Sequence, residues 1–72
     1  MNLKKDEIKE MRQIKAIIGR NIHILRLKRK FTLKKLSRLS GISADKIDYF
    51  EMGKNNIDIL SIVKISNILK IE

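Results

Sequence analysis

Apolar positions along this chain step by three or four residues almost everywhere. Between residues 4 and 29, Ile8, Met11, Ile14, Ile18, Ile22 and Leu25 follow that spacing, which lines one face of a helix. Gly19 falls inside the run, so either one long helix or two helices meeting at that glycine are expected. The stripe Ile8, Met11, Ile14, Ile18 reads as core-facing rather than lipid-binding, and an apolar stripe on this N-terminal segment could equally form a dimer seam. No run alternates with the two-residue period of a strand, and proline is absent. The expected architecture is all-α, with four to five helices and an extended N-terminal one.

Punctuation marks divide the remainder. Thr32 suits an N-cap, starting a second helix at about Leu33 and running to Ser40. Gly41 supplies a left-handed turn residue. Ser43 then caps a third helix reaching about Met52, which Gly53 stops. Asp58 caps a fourth helix from Ile59 to about Lys70. On that fourth helix, Leu60, Val63 and either Ser66 or Asn67 form one stripe, while Ile59, Ile62, Ile65 and Leu69 form another. An apolar surface so wide predicts a helix wedged between others. Leu36, Ile42, Ile47 and Phe50 are the expected core of the central pair.

Composition narrows the class. Seventy-two residues allow one small core, and with 4% aromatics it must be built from Ile and Leu. Cysteine is absent, so neither a disulfide framework nor a thiolate metal site is available. No apolar stretch approaches a membrane span, and the expected location is the cytoplasm. No acid–base pair, activated nucleophile, metal-ligand spacing or phosphate-cradling glycine loop stands out. Neither an enzyme, a cofactor protein nor a small-molecule site is therefore expected.

The formal charge of +9 is one-sided. Residues 1–40 carry 13 Lys/Arg against 3 Asp/Glu, a net +10, whereas residues 41–72 carry 4 against 5, a net −1. Seven of the basic residues crowd between Arg26 and Arg38: the run Arg26 to Lys30 holds four, and Lys34, Lys35 and Arg38 continue it with no acid between them. Such a field attracts polyanions. Asp6, Glu7 and Glu10 dilute the basic face of the first helix, which argues against a membrane-surface helix. His23 has no second ligand near it in sequence and reads as a solvent-facing or packing residue.

A short helix, a tight glycine turn and a second short helix form the pattern of a helix-turn-helix. The segments IGRNIHILRLKRK, FTLKKLSRLSGIS, ADKIDYFEMGKNN and IDILSIVKISNILKI, in that order, resemble the phage-repressor or Xre-type helix-turn-helix family over residues 19–71. The resemblance implies a small lambda-repressor-like bundle spanning 19–72, preceded by a helical extension over 1–18. It implies double-stranded DNA as the partner, with the third helix, 44–52, in the major groove and the second across the backbone.

Carried over position by position, the resemblance gives roles to individual residues. Thr32 caps a helix whose first amides face a phosphate; Lys34 belongs to the phosphate track that the unbroken basic run itself suggests. Ser43 caps the reading helix, Ala44, Asp45 and Tyr49 fall where base edges are read, and Lys46 lies at the groove wall. Lys54, Asn55 and Asn56 form the following loop, which touches the backbone. Arg26 and Glu51 correspond to a partly buried salt bridge tying the first helix to the third. Leu33 replaces a glutamine common in relatives, and Lys30 replaces a glycine, so Lys30 must adopt a left-handed conformation or the turn must change.

Two residues admit a second reading. Asp45 either accepts a hydrogen bond from a cytosine amino group or simply complements the helix dipole. Tyr49 either touches DNA or packs on Phe50. The function expected from these residues is that of a small transcriptional repressor. It would bind an inverted repeat as a homodimer, because one domain this size offers few base contacts. The alternative is a protein-interaction module that kept the fold and lost specific DNA binding.

Overall fold

The computed structural model describes residues 4–70, which form four α-helices: α1 (Lys5–Lys28), α2 (Leu33–Ser40), α3 (Ala44–Glu51) and α4 (Ile59–Leu69). Each boundary has a local cause. Asp6 and Glu7 occupy the first turn of α1 and Arg26 and Lys28 its last, matching the helix dipole at both ends. Thr32 Oγ1 accepts from the Lys35 amide at 3.0 Å and Ser43 Oγ from that of Lys46 at 3.2 Å. Asp58 caps α4 by accepting from the Ser61 amide at 3.1 Å and from its hydroxyl at 2.6 Å. The last bond holds the Asp58 carboxyl below its ordinary value, helped by the amide bond.

Gly41 closes α2 at φ +74°, its amide donating to the Ser37 carbonyl at 2.9 Å. Lys30 accepts the left-handed conformation in the turn after α1, at φ +58°, so the turn keeps its shape without glycine. The neighbouring Phe31 amide donates to Arg26 O at 3.0 Å and stabilises that strained position.

Phe50, Leu36, Ile47, Ile65 and Leu69 are fully buried, with Ile22 and Ile42 beside them. The expected core of the α2–α3 pair is therefore present, and one phenylalanine anchors an Ile/Leu interior. At Gly19 the outcome is different from an interruption: α1 is continuous there. A Cβ built on Gly19 would overlap the Phe50 carbonyl oxygen and come within 2.9 Å of that of Glu51. The missing side chain lets α1 cross the end of α3 at backbone contact.

One expectation about apolar faces is corrected and one is narrowed. Ile8, Met11 and Ile14 do not enter the core; they are exposed, and of that stripe only Ile18 is partly buried against it. Every residue from Lys4 to Ile14 is exposed, because the first turns of α1 extend past the other helices. The fourth helix does lie against two others, α2 and α1, but it is not enclosed. Ser61, Ile65 and Leu69 form its buried face, while Ile59, Leu60 and Val63 face solvent. A helix laid against two neighbours buries only the stripe that meets them, however apolar the rest of its circumference.

Candidate nucleic-acid interface

The two capped helices α2 and α3 meet through the three-residue turn Gly41–Ser43. Ser40 is buried at this corner, its hydroxyl accepting from the Ile42 amide at 3.1 Å. Ile47 and Phe50 point inward from α3, which fixes the rotation of that helix. The solvent face is left to Asp45, Tyr49 and Met52, all exposed. Lys46 flanks this face on one side, and the half-buried Ala44 and Asp48 flank it on the other.

The sequence-expected residues do not all present themselves equally. Asp45 and Tyr49 are a turn apart on one face and open to a ligand. Tyr49 is 45% exposed, which suits either a DNA contact or a surface ring half-packed on Phe50, and its backbone carbonyl accepts from the Lys54 amide at 2.9 Å and ties the following loop to α3. Lys46 leans away, its Nζ 5.7 Å from the centre of the Phe50 ring and 4.0 Å from an Asp58 oxygen. Both partners are exposed, so the ion pair is screened and loosely held. Ala44 offers only part of its methyl. In the loop, Lys54 and Asn56 are exposed and Asn55 is half-buried. Gly53, at φ +71°, lies against α1, where a Cβ would sit 3.1 Å from Ala16 Cα.

Basic groups line the exposed side of α2. On α2, Lys34 and Arg38 lie one turn apart, exposed, with no hydrogen bond or ion pair to the described residues. Lys35 lies 4.6 Å above the Phe31 ring, which holds its ammonium in place by cation–π attraction. Thr32 spends its hydroxyl on the Lys35 amide, so the amides of Leu33 and Lys34 remain to meet an anion.

Behind α3 is an ionic cluster. Arg26 Nε donates to Glu51 Oε2 at 2.7 Å and Arg26 Nη2 to Oε1 at 3.0 Å, while Arg26 Nη1 donates to the Phe31 carbonyl at 2.8 Å. The expected Arg26–Glu51 pair is therefore a bidentate clamp joining α1, α3 and the turn before α2. His23 completes it, with Nδ1 2.6 Å from Glu51 Oε1. An ionised carboxylate can only accept, so the proton in that contact belongs to Nδ1. Burial pushes the Glu51 carboxyl up, but the Arg26 and His23 hydrogen bonds outweigh it and leave it below the ordinary range. The bond to Glu51 in turn raises Arg26.

Sequence reasoning missed two residues. His23 joins the cluster across 28 positions, a separation at which no local spacing signals a contact. Met52 extends the α3 reading face; its spacing of seven from Asp45 was available as a signal.

Four helices with a capped, glycine-turned central pair and an exposed second helix define a small helical nucleic-acid-binding domain. A family profile described as helix-turn-helix matches residues 22–72, and the chain belongs to the Xre-type, phage-repressor-like helix-turn-helix family. Proteins of this family are DNA-binding regulators, and in that general sense so is this one. No curated protein and no solved structure matches the chain. Among the described residues, no helix is long and apolar enough to cross a membrane, and no His/Cys/Asp/Glu group could hold a metal ion.

Proposed function

We propose that this chain is a sequence-specific transcriptional repressor that occupies an inverted repeat of duplex DNA as a homodimer. Residues 19–72 form the DNA-binding domain, and residues 1–18 are an extension of it whose described part is the start of α1. The observation that carries the reading is the exposed α3 face of Asp45, Tyr49 and Met52, together with the exposed cations Lys34 and Arg38 of α2, which have no ion-pair partner among the described residues. In this reading α3 lies in the major groove while the α2 amino end, Thr32 and Lys34 meet phosphates. Ser43 and Lys46 hold the start of α3, and Lys54, Asn55 and Asn56 follow the backbone.

The acidity of α3 fits a division of labour. Attraction comes from the basic first half of the chain and is largely independent of sequence. A carboxylate at Asp45 repels any site whose groove edge shows only acceptors there, and accepts from cytosine N4 where one is offered. Discrimination then rests on rejecting wrong sites as much as on binding the right one.

Selection from a random duplex pool at physiological salt tests the proposal, and enrichment of an inverted repeat is the expected result. Recovery of no preferred sequence would overturn it and direct attention to a protein partner. Lys34→Glu combined with Arg38→Glu is expected to weaken binding at least about tenfold. It should also make the dependence of log K on log salt shallower, by roughly one unit for each phosphate that is no longer neutralised. Titration of the selected duplex at three salt concentrations reads both effects, and an unchanged slope would remove α2 from the phosphate track.

A further inference from the structure

Opposite the face that α1 uses to pack on α3 runs a second stripe. Gly19, His23 and Arg26 face α3, whereas Glu10, Ile14, Ile17, Asn21, Ile24 and Lys28 succeed one another by four and three residues on the other side of the helix. All six are exposed. Ile17 is 60% exposed and Ile14 54%, large values for isoleucines in the middle of a helix. Asn21, Ile24 and Lys28 also form one wall of a groove shared with Ile62 and Ser66 of α4.

The positions of the stripe, though not all of its residue types, are symmetric when it is turned end over end. Numbered from both ends about Gly19, Glu10 is matched with Lys28, Ile14 with Ile24 and Ile17 with Asn21. We propose that a second copy of this chain docks here, its α1 antiparallel to the first, so that each Glu10 meets the partner's Lys28, Ile14 and Ile24 pack across the seam, and Ile17 meets Asn21 at its centre. Alternation of four- and three-residue steps is the spacing that lets two helices keep one seam in contact. A parallel pair would instead set Glu10 against Glu10 and Lys28 against Lys28 at its two ends. From Glu10 to Lys28 the seam is roughly 27 Å long at about 1.5 Å per residue. With a width of about 20 Å it covers on the order of 600 Å² per copy, the lower end for a specific pair. Asn21, polar within the seam, weakens it further, so association in the micromolar range is expected.

This assignment rests on the homodimer reading above and gives it a surface. The pair axis is perpendicular to α1, the symmetry an inverted repeat requires. Because the seam lies on the side of α1 away from Gly19, His23 and Arg26, pairing leaves the α3 reading face uncovered.

Sedimentation equilibrium of the full chain without DNA, with helix content checked by circular dichroism, tests the pairing. Wild type is expected to dimerise, and Glu10→Lys and Lys28→Glu are each expected to weaken the dimer roughly tenfold. The double variant should recover wild-type affinity. Residues 10 and 28 of one helix are too far apart to touch, so recovery requires an antiparallel contact between chains. Lys28→Glu also lowers the net charge, so simple repulsion between copies predicts tighter association, the opposite sign. If wild type dimerises and the single variants are unaffected, the α1 seam is wrong while the homodimer stands on another face. A wild-type monomer at roughly 100-fold the expected range (on the order of 100 μM) overturns the seam, and a single copy on the selected duplex overturns the homodimer with it.

Discussion

Gly19→Ala is expected to cost about 3 kcal/mol or more and to leave a large part of the chain unfolded at about 37 °C. A methyl group there would overlap the Phe50 carbonyl oxygen and crowd that of Glu51. Both are backbone atoms at the end of a helix, so no side chain can rotate away. Relief requires α1 and α3 to separate, which would loosen Phe50, the largest fully buried side chain. Overpacking ordinarily costs about 1–3 kcal/mol where side chains can adjust, and here they cannot. For a chain of this length total stability is on the order of 4–11 kcal/mol, so the loss is a large fraction of it. A fall in melting temperature of more than about 12 °C is the corresponding shift. Urea and thermal melts followed by circular dichroism measure it. Gly41→Ala is the useful contrast, because nothing lies within 4 Å of a Cβ there. Only the left-handed backbone opposes it, at about 1–2 kcal/mol. Equal costs for the two substitutions would mean that α1 and α3 can part at Gly19 without disturbing Phe50.

Glu51→Ala is the second large effect, expected to destabilise by about 3 kcal/mol. Its carboxylate takes hydrogen bonds from Arg26 Nε, Arg26 Nη2 and His23 Nδ1, and both partners of the Arg26 pair are nearly buried, at 9% and 5% side-chain exposure. Removing the acid leaves a guanidinium behind α3 with the Phe31 carbonyl and, at 3.3 Å, His23 Nδ1 as its partners among the described residues, neither of them charged to match it. Replacing both charges, Arg26→Met with Glu51→Leu, is expected to recover much of the loss, because no uncompensated charge remains. Full additivity of the two substitutions would contradict the cluster.

The same carboxylate sets a pH dependence. Its folded-state value lies below the ordinary one, so its contribution is complete above the ordinary carboxylate range, near about pH 4.3. As pH falls through the lower folded value, that contribution is lost. Urea midpoints should therefore fall between about pH 6 and about pH 3, and Glu51→Gln should show a smaller fall over the same interval. Parallel profiles would assign the acid sensitivity to other carboxylates.

Much of the fold was legible in the residues because its boundaries are local. Thr32, Ser43 and Asp58 satisfy amides three positions ahead, and Gly41 and Gly53 take conformations that glycine tolerates. These effects act within a few residues, so helix ends and the central turn followed from the sequence alone. The buried quartet Leu36, Ile42, Ile47 and Phe50 followed too, because two short amphipathic helices joined by a tight turn have few ways to face each other. Long-range facts were not available in that way. Periodicity states which residues share a face, but not whether a neighbour covers it. Hence Ile8, Met11 and Ile14 looked like core although the start of α1 runs past the bundle, and Ile59, Leu60 and Val63 looked enclosed although α4 buries only the stripe that meets its two neighbours. Only the crossing of α1 and α3 decided why position 19 is glycine, and only that crossing brought His23 to Glu51. Sequence determined the elements and their caps; tertiary structure decided which apolar faces stay open and where backbones touch, because burial depends on neighbours far away along the chain.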